Sequence, residues 1–277
     1  MNIQNDGLPL PVYLAILASE RPPLPAGEIS VTELIAPARA RALMRQHPDL
    51  PQPASRKLDA LLGSGLHAML DRGIWEEVHD DQGARFKRLR PDCEDWLVEQ
   101  RLSVTRTEPD LYGQVVSGGI DLYIPEDGRL WDHKAMPMYS AWLYKQALAA
   151  GKDREEERAQ QLNLYAHLLR AQGWPVASLR SFIYLKGWNR RDAQKMDLPN
   201  RWADLEVPLW PAEEAEAFLL ARLRAHQDAE RELPLCTPAE TWQGRRCAEW
   251  CPAFAVCSQA NPEAALNEAV AREKEIP

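Results

Sequence analysis

No stretch of this 277-residue chain is apolar over the length that a bilayer crossing requires, and no internal repeat is visible. Those absences exclude a membrane-spanning helix and a solenoid of short stacked units. The N-terminus lacks a basic region followed by a long apolar stretch, so no secretory leader is expected and a reducing, cytoplasmic setting is. An excess of positive charge is missing too: 41 acidic residues face 33 Lys and Arg, for a net charge of -8. A chain that gripped nucleic acid mainly through its phosphates would show a basic footprint. Any such contact must therefore be local and salt-sensitive. The candidate strips are Arg85 to Arg90, the trio Arg39, Arg41 and Arg45, and Arg190-Arg191. Cysteine is scarce until late: Cys93 stands alone before position 236 and reads as an ordinary thiol.

What is present is the composition of a folded chain, 45% hydrophobic and 27% charged, long enough for one large core with a small appendage. Helical patterns are expected near residues 31–46, 57–71, 154–172 and 212–230. Strand patterns are expected near 102–107, 120–124, 130–134 and 179–186, with 207–211 an extended link. Their alternation predicts an α/β fold, a mixed central β-sheet flanked by helices. Residues 1–27 read as an irregular lead-in, 28–232 as the core, 233–260 as a cysteine-rich segment and 261–277 as a charged tail.

The densest chemistry lies at Gly118-Gly119-Ile120-Asp121 and, across a Pro125 to Gly128 break, at Asp132-His133-Lys134. Two apolar runs joined by a Pro/Gly/Asp turn predict a β-hairpin. Asp132 and Lys134 are two apart, so both side chains leave one face of a strand. With Asp121 on the facing strand, two carboxylates and an ammonium converge. Phosphodiester hydrolysis uses such a set: carboxylates hold a hard divalent cation, which acidifies water and neutralises charge on phosphorus. Upstream, His67 sits in a helical stretch approached by Gly63 and Gly65; a lone histidine there is more often packed than ligating. Downstream, Gln161 and Tyr165 share one helix face, where they also suit a plain amphipathic edge. The ten tryptophans offer stacking platforms for bases but mostly suit a core.

Taken in order, His67, Gly118-x-x-Asp121, Asp132-x-Lys134 and Gln161-x-x-x-Tyr165 resemble the RecB-type branch of the PD-(D/E)XK nucleases. Within it they are most similar to the single-domain exonucleases of bacteriophages and of CRISPR systems. Ile29 to Ile35 also resembles the opening segment of that branch, so the likeness runs from about Ser30 to Cys257. The resemblance implies a restriction-endonuclease-like core that hydrolyses DNA from its ends with Mg²⁺ or Mn²⁺. The setting it implies is recombination, replication or CRISPR-related processing, with a protein of such a pathway as partner. It makes His67 a nitrogen ligand, Asp121 and Asp132 oxygen ligands, and the His133 carbonyl a further one. Lys134 would stand beside the attacking water, as base or as holder, while Gln161 and Tyr165 orient the phosphate or strand and brace the lysine. The histidine makes Mn²⁺ more welcome. A noncatalytic DNA-binding or decoy subunit of the same fold is the alternative, and the intact Asp121, Asp132 and Lys134 speak against it. Polarity and strand preference are not written in these residues.

Cys236, Cys247, Cys251 and Cys257 crowd into one short segment. In a reducing compartment four thiols point to zinc or an iron–sulfur cluster rather than disulfides. The C-x₃-C-x₅-C end with Pro252 beside a cysteine resembles the iron–sulfur staple of RecB-type nucleases, which implies a [4Fe-4S] cluster; zinc is the alternative. Many such relatives take one ligand from before the core. No cysteine occurs near residues 39–45, so Cys236 would be the fourth ligand.

Overall fold

A capping box opens the core. Ser30 Oγ accepts the Glu33 amide at 3.2 Å while the Glu33 carboxylate accepts the Ser30 amide at 3.2 Å. This reciprocal pair turns strand Glu28–Ser30 directly into helix Val31–Ile35. The computed structural model describes residues 2–20, 22–79, 82 and 84–266. The single helix expected over 31–46 is two. Ala36 is extended (ψ 158°), because the residue before a proline is pushed out of helical space, and a second helix, Ala38–Gln46, restarts behind Pro37.

In chain order the strands are β1 (Asn2–Gln4), β2 (Glu28–Ser30), β3 (Pro51–Pro53), β4 (Trp75–His79), β5 (Arg85–Leu89), β6 (Leu97–Thr105), β7 (Val115–Ile124), β8 (Arg129–Pro137), β9 (Ser178–Lys186) and β10 (Trp202–Val207). The helices are α1 (Leu10–Ser19), α2 (Val31–Ile35), α3 (Ala38–Gln46), α4 (Leu58–Ile74), α5 (Met138–Ala149), α6 (Glu157–Ala171), α7 (Arg190–Met196), α8 (Ala212–Arg231) and α9 (Arg245–Glu249). Six strands form the main sheet in the order β10-β9-β8-β7-β2, with β6 also on β7. The β8–β9 and β2–β7 pairs are parallel and the rest antiparallel, so the sheet is mixed, as expected. Helices flank it, and α6 packs against four of its strands.

The β7–β8 hairpin is also as expected, but it is short. Its turn carries Gly128 at φ +62°, with Ala177 N only 3.1 Å from where a β-carbon would sit. The ladder holds three rungs, Leu122↔Trp131 to Ile124↔Arg129; β8 then parts from β7 and follows β9 along its whole length. Helix α6 covers this parting. Leu162, Leu164, Leu168 and Leu169 are fully buried, and the Tyr165 ring lies 2.5 Å from the position of a β-carbon on Gly118. Only glycine lets that ring come so close to β7.

Several expectations need correction. Residues 1–27 are not irregular, since they carry β1 and α1. The strand expected from 102 begins at Leu97, and α5, the β4–β5 hairpin and β10 were not anticipated. Of the basic strips, Arg85 and Arg88 pair with Glu77 and Glu76, Arg41 and Arg45 with Glu230, and Arg39 is buried. The tail is helical over 262–266, and the rest of it, 267–277, lies outside the described residues. Among the described residues no helix is long and apolar enough to cross a membrane.

Candidate metal centre

Where β8 leaves β7, a side chain takes over from the backbone. The rung after Leu122↔Trp131 would pair Asp121 with Asp132; instead Asp121 Oδ2 accepts the His133 amide at 2.6 Å. The carboxylate thus satisfies an amide that the missing rung would have left open. On β8, Asp132 and Lys134 share a face, and Lys134 Nζ donates to Asp132 Oδ1 at 2.6 Å. Asp132 is 1% exposed, and its other oxygen, Oδ2, is buried with no hydrogen-bond partner among the described residues. A buried carboxylate oxygen is costly unless a hydrogen-bond donor, a water or a cation meets it.

His67 reaches the same place from α4, which packs on β8 and is tied to β9 by the Lys186–Asp59 ion pair. Its Nδ1 lies 2.8 Å from Glu99 Oε1 and 3.7 Å from Asp121 Oδ1. The ring of His133 stands 6.2 Å from that of His67 and packs edge-on against Phe182. Behind the cluster, Gln161 Nε2 donates to the Tyr165 hydroxyl at 2.7 Å. The structure therefore brings together His67, Asp121, Asp132, His133, Lys134, Gln161 and Tyr165.

Sequence reasoning missed Glu99. It lies on β6 ahead of Leu102, where the strand was expected to start, so nothing placed it near Asp121. A strand start at Leu97 would have found it by register.

The charges in the cluster act on one another. Burial, then the charge of Asp132, raises the Asp121 carboxyl to about 7. The hydrogen bond to Glu99 raises the His67 pKa, and burial lowers that of His133. Burial works to lower the Lys134 pKa, but the charges of Asp132 and Asp121 outweigh it, so Lys134 is held as an ammonium ion. Burial also raises the Tyr165 phenol. One ligand atom each of His67, Glu99 and Asp121 lie within 4.8 Å of one another, a set that could hold a metal ion, and Asp132 stands outside it.

The four late cysteines, Cys236, Cys247, Cys251 and Cys257, line one small cavity with Arg39, Leu43 and Phe254. Burial pushes the Cys236 thiol up to about 12 and raises Cys251. Arg39 does not belong to a surface strip: Nε donates to Cys257 Sγ at 3.3 Å, and the guanidinium also donates to the Leu233 and Pro234 carbonyls and Ser258. The segment is further held by Gln52, which donates to the Pro252 carbonyl at 3.1 Å.

No protein-family model and no curated protein matches the chain. Among solved structures, the crystal structure of SSO0001 is similar to it, with a TM-score of 0.55 over 89% of this chain and 93% of that one at 13% identity. At that identity the likeness shows a shared α/β fold alone.

The raised Asp121 carboxyl has a pH signature. A carboxyl whose folded pKa lies above its unfolded value gives stability that is complete below about 4 and lost as pH rises through about 7. A divalent cation bound by the ionised form offsets that loss. Melting with and without Mn²⁺ should show a larger upward shift near about pH 8 than near about pH 5.5, and Asp121→Asn should flatten the difference. An equal shift at both pH values in wild type would contradict the assignment.

Proposed function

We propose that this protein is a metal-dependent deoxyribonuclease that degrades DNA from its ends, with Mg²⁺ or Mn²⁺ at the β7–β8 parting. The observation that carries the proposal is the buried, open Oδ2 of Asp132, whose other oxygen holds Lys134 at 2.6 Å and whose neighbour across the parting is Asp121. His67, Asp121 and Asp132, with the His133 carbonyl, would hold the cation. When bound, it acidifies a water and neutralises charge building on the attacked phosphorus. Lys134 would stand beside the attacking water, as base or as holder. Tyr165, anchored by Gln161 and seated against Gly118, keeps its hydroxyl at the edge of the cluster, where it would orient the phosphate. Tyr139, exposed on α5 just after β8 and stacked on Trp142 at 5.6 Å, offers a face for an unpaired base. Action on DNA and from ends rests on the motif order His67, Asp121, Asp132-x-Lys134, Gln161-x-x-x-Tyr165.

The cysteine cavity fits a second group. The four cysteines line one space. An iron–sulfur cluster held by Cys236, Cys247, Cys251 and Cys257, with zinc the alternative, rests on the C-x₃-C-x₅-C end beside Pro252 and would tie the C-terminal segment to α3.

End-labelled linear single- and double-stranded DNA, digested with Mg²⁺, Mn²⁺ or EDTA, tests the activity. Wild type should release label with metal only. Asp132→Ala and Lys134→Ala should lose at least about a hundredfold in rate while remaining folded. No cleavage by folded wild type would favour the noncatalytic DNA-binding alternative. For the cysteines, Cys251→Ser should lower bound iron, visible colour and melting temperature together. Unchanged metal content and stability would remove the cluster.

A further inference from the structure

The antiparallel register of β6 on β7 runs unbroken from Leu97↔Tyr123 to Thr105↔Val115 except at one position. Val98↔Leu122 and Gln100↔Ile120 are paired; the pair between them, Glu99 with Asp121, is not formed. Glu99 is left-handed there, φ +50°, a conformation that a glutamate in a strand rarely takes. On the other side of β7, the next rung beyond Leu122↔Trp131 is the unformed Asp121 with Asp132. Glu99, Asp121 and Asp132 are therefore consecutive positions across three strands, and backbone pairing fails at each junction between them. Like charges directly opposite one another destabilise a sheet. Three carboxylates in one row, with Lys134 bonded to one and His67 to another, leave negative charge unbalanced.

We propose that Glu99 is a ligand of the divalent cation, which His67, Glu99 and Asp121 hold before any phosphate arrives. This rests on the reading of the β7–β8 parting as a cation site and goes beyond the motif residues. The spacings fit one coordination sphere. Ligand atoms about 2.1 Å from an octahedral ion are about 3.0 Å apart along an edge and about 4.2 Å apart across it. His67 Nδ1 is 2.8 Å from Glu99 and 3.7 Å from Asp121, and the three ligand atoms all lie within 4.8 Å of one another. An imidazole and two carboxylates leave the rest of the shell to water until a phosphate arrives.

Mn²⁺ titration without DNA, followed by the electron paramagnetic resonance of free Mn²⁺, tests the assignment. Wild type should bind Mn²⁺, and Glu99→Gln should bind it about ten- to a hundredfold more weakly. Glu99→Gly provides the control for folding, because glycine adopts φ +50° freely and should melt no lower than wild type. Wild-type affinity in either folded variant, or no Mn²⁺ binding by wild type, overturns the proposal. DNA digestion by the same preparations separates it from the nuclease reading. Mn²⁺ held through Glu99 without cleavage removes the nuclease and leaves the ligand; cleavage with unchanged affinity in Glu99→Gln does the reverse.

Discussion

The carboxylate of Asp132 is the constraint on which the site depends. It is 1% exposed and lies on a strand paired along its length with β9. Removing such a group from water costs several kcal/mol unless opposite charge and hydrogen bonds meet it. Lys134 meets one oxygen and nothing described meets the other. The fold accommodates this by ending the β7–β8 ladder one rung earlier and letting Asp121 take the His133 amide. A sheet that zipped fully would be more regular and would have no place for a cation or a phosphate.

The surrounding elements hold that parting open at fixed width. The parallel β8–β9 ladder fixes β8 from one side and β6 fixes β7 from the other, while β2 takes the β8-facing edge of β7 at Val115 to Ser117. Helix α6 spans both strands and seats Tyr165 against Gly118; α4 brings His67 over the gap and is tied to β9 through Asp59 and Lys186. The cysteine cavity stands apart from this, between α3 and the C-terminal segment, where buried Arg39 and Gln52 reach across to Cys257 and Pro252. Its role in the account is to anchor the end of the chain on the core.

Much of this was legible because the periodicities are short. Asp132 and Lys134 two apart, and Gln161 and Tyr165 one turn apart, must share faces, and the Pro125 to Gly128 break had to reverse the chain before Asp132. The mixed sheet followed from the alternation of elements. Other features depend on tertiary placement and left no local trace. Glu99 belongs to the site by cross-strand register, which a strand start misjudged by five residues conceals. Arg39 reads as one of three basic residues on a helix, and only packing shows it turned toward sulfur. Pro37 stands inside the span expected as one helix, 31–46, and the pre-proline restriction on Ala36 divides it. Counting cysteines marked their density; their common cavity is a property of the fold.

The central claim is that a divalent cation sits where β7 and β8 part. Anomalous scattering at the manganese edge from crystals soaked in Mn²⁺ tests it most directly. The account predicts a peak within about 2.2 Å of an Asp121 oxygen, beside His67. An ordered Asp121–Asp132–Lys134 cluster with no peak, in crystals that show manganese elsewhere or at high soak concentration, would contradict it.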